Sequence, residues 1–346
     1  MSPASSHGNV LLPSDSQVRL MTKVARLYHE RGVRQTEIAS MLHLSQARVS
    51  RLLKRATEVG IVRTVVVVAT DVHTGLEEQL EARYGLLEAV VVDADGDEHD
   101  VLAALGSAGA GYLEATLTGA ERLGISSWSA TLLAVADRLH PFRKPGGADS
   151  IIQLVGGVGV ASVQAQANRL LGQLASVVGA SPTFVPAPGL VGSPDVRAGL
   201  LTDPAMESIA NQWQQLTMAL VGIGSLQPSR LLEDSGNAGG PREQQELREA
   251  GAVGDVCNRF FTADGALVRS ELDDRVVGID PTTYRAIPRR VGLAGGRRKH
   301  EAVRAALLGG WVNVLVTDVS TARALLTDPP VPGGAPSTLD GTAPTA

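Results

Sequence analysis

Six short apolar runs, spaced by segments of helical length, set the tightest limit on what this chain can fold into. They fall at residues 89–92, 123–125, 151–155, 218–223, 291–294 and 312–316. Helical segments are expected between several of them, at 100–117, 131–139, 164–178 and 299–308. A continuously apolar strand has no polar side to leave in water, so both of its faces must be covered. Strands of that kind alternating with helices indicate a parallel sheet with helices on both sides, an α/β Rossmann-like domain. At 346 residues and 44% hydrophobic content, the chain has material for such a core and for a second, smaller domain.

The smaller domain is expected ahead of the sheet. The stretch QTEIASMLHLSQARVSRLL, residues 35–53, reads as a helix-turn-helix. Ile38, Ala39 and Leu42 form the inner stripe of a short helix, and His43 and Leu44 make a tight turn. Ser45 is placed to cap the next helix, in which Val49, Leu52 and Leu53 repeat the apolar spacing. Gln46, Arg48, Ser50, Arg51 and Lys54 occupy the other face, where they suit base edges and phosphates. An earlier helix is expected to begin at Asp15 or Ser16, with Met21, Val24, Ala25 and Tyr28 inward and Gly32 as its stop. Gly60 is a C-cap residue. The β-branched run at 61–68 reads as a strand that makes the module winged or ties it to the body.

Charge follows the same division. Residues 19–63 carry ten Lys/Arg and three Asp/Glu, a balance of +7 within a chain whose net charge is −5. A basic head on an acidic body fits a module that contacts double-stranded DNA, attached to a domain that does not.

The expected organisation is a mobile tail at 1–15, the helix-turn-helix domain at 16–70 and a linker helix within 71–87, centred on LEEQLEARY. The α/β domain follows at 88–327, and a disordered Pro/Gly/Thr-rich tail at 328–346. Residues 227–242 read as loop.

Several chemistries are disfavoured. Cys257 is the single cysteine, so there is no intrachain disulfide framework and no Cys-rich metal site. The seven histidines form no H-x-x-x-H pair, and no metal or other cofactor is expected. No apolar run approaches a membrane span, and the first residues lack the pattern of a signal peptide, so a cytoplasmic location and no membrane partner are expected. The turn Gly156-Gly157-Val158-Gly159 invites a dinucleotide reading. That fingerprint needs an acidic residue about 20 positions on, and none occurs between Ser162 and Pro194. No P-loop is present.

Ligands of open α/β sheets sit beyond the carboxyl ends of strands. Two polar turns fall there. In the first, Ser126 to Thr131, hydroxyls and free N–H groups can cradle an anion, although serines at a helix start are more often plain caps. In the second, Gly295 to Lys299, the glycines admit a ligand and Lys299 can neutralise a phosphate, or the segment is a helix start with a solvated basic face. Asp255 and Asp318 read equally as ligand groups or loop caps, and Asp264-Gly265 reads as a hairpin turn.

Taken together, these segments resemble the SorC family of sugar-binding transcriptional regulators over about residues 19–327. The resemblance rests on QTEIASMLHLSQARVSRLLKRATEVGIV, GISSWSATL, VPAPGLV, LVGIGS, GAVGDVCNRFFTADG and AGGRRKHEAVRAALLGGWVNVLVTD, in that order. It implies a body related to sugar-phosphate isomerases and deaminases, used for sensing a sugar, polyol or sugar phosphate instead of turning it over. By position, it implies effector contacts at Ser129, Ala130, Thr131, Gln153, Asp255 and Lys299, to which the polar turns add Ser126 and Gly295 as expected contacts. DNA contacts are implied at Gln35, Ser45, Gln46, Ala47, Arg48, Ser50, Arg51, Lys54 and Arg55. A homodimer or homotetramer is expected, since paired modules read paired half-sites. The competing reading is an isomerase or deaminase with an appended DNA-binding module.

Overall fold

The computed structural model describes residues 15–62, 72–94, 96–140 and 147–329. Contacts divide the chain into two units, Met1–Val68 and Ala69–Ala346.

The first unit contains α1 (Asp15–Ala25), α2 (Gln35–Met41) and α3 (Gln46–Glu58) around a small core of Met21, Val24, Ala25, Leu27, Ile38, Ala39, Val49, Leu53 and Ala56. One inward residue differs from expectation: Tyr28 is exposed and Leu27 is buried in its place. The cause is local. Arg26–Glu30 is a π-helical turn, whose wider ring rotates the apolar stripe relative to an α-helix. Gly32, at φ +65°, ends this segment. The α2–α3 connection turns through His43 at φ +52°, with Leu44 N–H donating to Ala39 O (2.8 Å). Ser45 caps α3, its Oγ accepting from Arg48 N–H (3.2 Å). Ile61 and Val62 form a bend. The remainder of the run expected as a strand lies outside the described residues, as do 1–14 and 330–346 of the two expected tails.

The second unit begins with α4 (Thr74–Tyr84) and β1 (Glu88–Val92), followed by α5 (Glu98–Thr116), β2 (Arg122–Ile125), α6 (Ala130–Ala136), β3 (Ser150–Gln153), α7 (Ala161–Val178) and β4 (Ser181–Thr183). Next come α8 (Pro194–Leu201), α9 (Pro204–Trp213), β5 (Met218–Gly222), β6 (Gly224–Ser225), α10 (Arg230–Asp234), α11 (Pro241–Glu249), β7 (Ala252–Val256) and β8 (Arg259–Thr262). It closes with α12 (Pro281–Ala286), β9 (Arg289–Leu293), α13 (His300–Leu308), β10 (Val314–Asp318) and α14 (Val319–Thr327).

Seven strands form one sheet in the order β1-β10-β9-β5-β2-β3-β4, with every neighbouring pair parallel. Alternate side chains feed two cores. Ala89, Val91, Ile152, Ala219, Val221 and Leu315 pack on one face with residues of α4, α9, α12, α13 and α14. Ile151, Met218, Leu220, Val314 and Val316 pack on the other with α5, α6 and α7. Both faces are therefore dry, which is why the strands carry no polar alternation.

Each of the six expected strands is present. Three features correct the sequence reading. The segment expected as a linker helix is part of the second unit: Leu80 is fully buried, and Glu81 and Glu77 accept hydrogen bonds from the backbone N–H groups of Ala89 and Val91 (both 2.9 Å). Residues 227–242, expected as loop, contain α10 and the start of α11. Finally, β6, β7 and β8 make a separate antiparallel sheet, and the β7–β8 hairpin turns on Cys257 and Asn258 (φ +54° and +59°). Asp264-Gly265 makes the next reversal, where Gly265 N–H donates to Thr262 O (2.8 Å).

Candidate functional site

From β2 the chain runs outward to β3 and β4, then returns to place β5 on the opposite flank of β2 and continues to β9 and β10. The direction of winding reverses between β2 and β5, and a crevice opens beyond the carboxyl ends at such a point. A cleft of about 100 Å³ is found there. Its lining combines the turn after β2 (Ser126 to Thr131), the β5–β6 segment, Gln227 to Ser229, Asp255 and Asn258 of the small sheet, and Arg298 and Lys299.

The serines of the first turn hold its shape. Ser127 Oγ donates to Val155 O (2.7 Å), and Trp128 Nε1 donates to Gly156 O (3.1 Å). Ser126 Oγ accepts from Gly222 N–H (3.4 Å), tying β2 to β5. Ser129 is the N-cap of α6, accepting from Leu132 N–H (3.3 Å). The first two helical N–H groups, of Ala130 and Thr131, have no carbonyl one turn earlier to bond and belong to residues lining the cleft.

Asp255 is buried, and its Oδ2 accepts from Asn258 N–H (3.0 Å) across the hairpin turn. Burial pushes its carboxyl up to about 6, against the opposing pull of that N–H and of the Lys299 ammonium. Lys299 ends a short 3₁₀ turn before α13, with its N–H on Gly296 O (2.9 Å). Burial holds the Lys299 ammonium below its ordinary value, with Asp255 acting in the opposite direction. The neighbouring Arg298 is exposed and pairs with Glu98 (2.6 Å). Lys299 has no carboxylate within 4.0 Å among the described residues. The cleft thus presents a half-buried cation, a carboxyl poised near neutrality, and a ring of hydroxyl and amide groups. That is a surface for a small, hydroxylated, anionic molecule.

Of the residues expected at an effector site, the structure brings Ser126, Ser129, Ala130, Thr131, Asp255 and Lys299 together. It does not bring Gln153 or Gly295 into the lining. Gln153 is buried beneath Gly157, and its Oε1 accepts from Val185 N–H (2.8 Å), which fastens the chain after β4. Gly295 packs against Asp318, whose carboxylate accepts from Gly296 N–H (2.7 Å) and caps α14 through Thr321 N–H (3.0 Å). Burial opposes ionisation of Asp318, but these bonds and the Thr321 hydroxyl keep its carboxyl below the usual value, so it serves as a structural cap. The glycines after β3 are likewise required by packing, since a Cβ on Gly156 would overlap the Pro188 and Ala187 carbonyls.

Sequence reasoning missed Ser225, Gln227, Ser229, Leu232 and Asn258. Pro228-Ser229 is a helix-start signal, and Ser229 Oγ does accept from Leu232 N–H (3.3 Å), but nothing local indicates that this helix folds over the cleft.

In the first unit, Ala47, Ser50, Arg51 and Lys54 lie at i, i+3, i+4 and i+7 on the exposed face of α3, with Gln46 and Arg48 also exposed. Arg51 Nε donates to Ala47 O (3.3 Å), which lays the guanidinium along the helix. Arg55 is half-buried and pairs with Glu58 (3.1 Å). Gln35 opens α2, and Ser45 caps α3.

Among the described residues no helix is long and apolar enough to cross a membrane, and no group of three or more His, Cys, Asp or Glu is arranged to hold a metal ion.

The chain is similar to known proteins over most of its length. Residues 71–327 match the family described as "Putative sugar-binding domain". The deoxyribonucleoside regulator of Bacillus subtilis is 33% identical over 315 residues, covering 90% of this chain and 98% of that protein. The sorbitol operon regulator of Klebsiella pneumoniae is 31% identical over 320 residues, covering 91% and 100%. Among solved structures, the full-length sorbitol operon regulator SorC from Klebsiella pneumoniae aligns with a TM-score of 0.66 at 29% identity, covering 90% of this chain and all of that one.

Proposed function

Because the chain belongs to the SorC family of sugar-binding transcriptional regulators, we propose that it binds an operator through α2 and α3 and that a sugar, polyol or sugar phosphate in the cleft modulates that binding. The observation that carries the reading is Lys299, a cation without a partner carboxylate among the described residues, in a hydroxyl-lined crevice at the winding reversal of the matched domain.

In this reading α2 and α3 form a helix-turn-helix. Ala47 and Arg51, with Gln46, face base edges, while Arg48, Lys54 and Arg55 contact phosphates. Ser45, Ser50 and Gln35 lie at the margins of that surface. Two modules are needed to read two half-sites, so the working form is a homodimer or a homotetramer built from dimers, acting in the cytoplasm with its DNA. The anionic end of the effector is held by Lys299 and the N–H groups of Ala130 and Thr131, and its hydroxyls by Asp255 and the serine-rich turn. The cleft senses and does not turn over its ligand, although its fold is expected to be shared with sugar-phosphate isomerases.

The test is a thermal-shift screen of the full-length protein against sugars, polyols and their phosphates. A ligand that binds only the folded state raises the melting temperature. A phosphorylated hit whose effect disappears in Lys299→Ala supports the reading. Silence across all three classes contradicts it, and so does steady turnover of a sugar phosphate that Lys299→Ala abolishes.

A further inference from the structure

Three cations follow one another on the 3₁₀ turn before α13, and two of them, Arg298 and Lys299, belong to the wall of the cleft. The backbone beneath them is pinned. Gly296 takes φ +86°, and its N–H donates to Asp318 Oδ2 (2.7 Å) and Thr321 Oγ1 (3.1 Å). Lys299 N–H closes the turn on Gly296 O (2.9 Å). A new partner for Arg298 therefore needs a change of side-chain rotamer and no movement of the chain.

The Arg298 guanidinium is held by Glu98, with Nη2 donating to Oε1 (2.6 Å). Glu98 lies in the first turn of α5 and is not part of the cleft wall. Two features make this pair easy to exchange. The Arg298 side chain is 46% exposed and that of Glu98 74%, so water screens their attraction and the pair contributes little stability. Glu98 also has no need of the arginine. Asp97 already caps α5, accepting from His99 N–H (2.7 Å) and Asp100 N–H (3.2 Å), and a carboxylate in the first turn is stabilised by the helix N-terminus itself.

Both members of the pair act on Lys299. Burial lowers the value of the Lys299 ammonium; Asp255 and Glu98 oppose that lowering, and Arg298 adds to it. The pair thus stands within electrostatic reach of the cation that an anionic ligand would meet. A phosphate monoester carries more charge than a carboxylate and offers more acceptor oxygens, and the guanidinium fork can grip two of those oxygens at once.

We propose that Arg298 reads the charge of the effector: it leaves Glu98 for the phosphate of the ligand and closes on it together with Lys299. Glu98 is then a built-in competitor, which a phosphate displaces and an uncharged sugar or polyol does not. This rests on the reading of the cleft as a sugar-phosphate effector site, and adds to it a second cation and the carboxylate that withholds it.

The experiment is calorimetry on the full-length protein, with sorbitol 6-phosphate and ribose 5-phosphate as probes. The wild type is compared with Arg298→Gln, Glu98→Gln, the double variant and Lys299→Ala. For a probe that binds the wild type, Arg298→Gln is expected to weaken affinity by about tenfold, the worth of one hydrogen bond to a charged group. Glu98→Gln is expected to tighten it by about two- to fivefold, the worth of one exposed ion pair. The double variant is expected to match Arg298→Gln alone, because without the arginine Glu98 has nothing to withhold. Wild-type affinity in Arg298→Gln overturns the exchange, and so does a Glu98→Gln affinity no tighter than that of the wild type. A gain from Glu98→Gln that persists beside Arg298→Gln also overturns it, since Glu98 would then act on the ligand or on Lys299 directly. Binding lost in Lys299→Ala but unmoved at Arg298 and Glu98 removes the exchange alone and leaves the effector reading standing. Binding indifferent to Lys299→Ala, or no binding of either probe, overturns the effector reading and the exchange with it.

Discussion

Lys299 and Asp255 line one cleft without forming an ion pair: no nitrogen–oxygen distance between them is 4.0 Å or less, yet each shifts the ionisation of the other. A closed pair would satisfy itself and leave a ligand little to gain. Held apart, the ammonium remains available to an anion and the carboxyl to a hydroxyl.

Asp255 makes folding stability depend on pH. Its carboxyl is raised from 3.8 to about 6 by burial, so the folded state binds the proton more tightly than the unfolded chain. Stability from this group is therefore full below the unfolded value and falls as pH rises through the window from about 4 to about 6. Asp255→Asn removes the penalty while preserving an acceptor for Asn258 N–H. Denaturant titrations are expected to show the variant more stable near pH 7.5, by up to about 3 kcal/mol, with the gain vanishing near pH 4. A variant less stable by the same amount at both values would mean that the hydrogen bond, not burial, dominates.

Lys299→Ala separates sensing from DNA binding. Loss of a half-buried cation facing an anion is expected to weaken sugar-phosphate affinity by at least about tenfold. DNA affinity without ligand is expected to be unchanged. A parallel loss of DNA affinity, read by fluorescence anisotropy, would make Lys299 a structural residue.

On α3, Arg51→Ala and Lys54→Ala are expected to differ in kind. Removing a base-reading arginine costs about 1–3 kcal/mol on the selected operator and little on random duplex. Removing a phosphate contact weakens both duplexes alike and lowers the salt slope by about one. Equal losses for Arg51→Ala on the two duplexes would reassign it to the phosphate backbone.

Gly156→Ala tests why the glycine run after β3 exists. A Cβ there meets the Pro188 and Ala187 carbonyls, which belong to backbone and have little room to give. The expected loss is about 1–3 kcal/mol of stability, with no measurable affinity for NAD in either the variant or the wild type. Wild-type binding of NAD would restore the dinucleotide reading.

What could be read in advance follows from where the physical signal lies. Six of the seven strands of the main sheet were legible because strands dry on both faces must be continuously apolar, as at Met218 to Val221. The short edge strand Ser181–Thr183 and the two-residue Gly224–Ser225 have no such signature, and their pairing is set by the chain around them. The exposed face of α3 was legible from the 3.6-residue period, but the exchange of Leu27 for Tyr28 was not, since a π-helical turn changes that period within a single ring. At the cleft, Lys299 was legible from its place after a glycine turn at a strand end, whereas Asp255 read equally as a ligand group or a loop cap and was directed to the site by the family resemblance. Gln153 was not correctly placed from the sequence, because a glutamine fastening Val185 N–H and one facing a ligand have the same local pattern. Asn258 and Gln227 come to the cleft through folding of distant segments, which no local spacing records.

The most direct test of the account is the coupling between the two units. The full-length protein is titrated onto a duplex that it selects from a randomised pool, at one fixed salt concentration, with and without the sugar or polyol phosphate that stabilises it most. The DNA dissociation constant is expected to change at least about fivefold in the wild type and not at all in Lys299→Ala. A dissociation constant unmoved by a saturating ligand would contradict the claim that the cleft controls DNA binding.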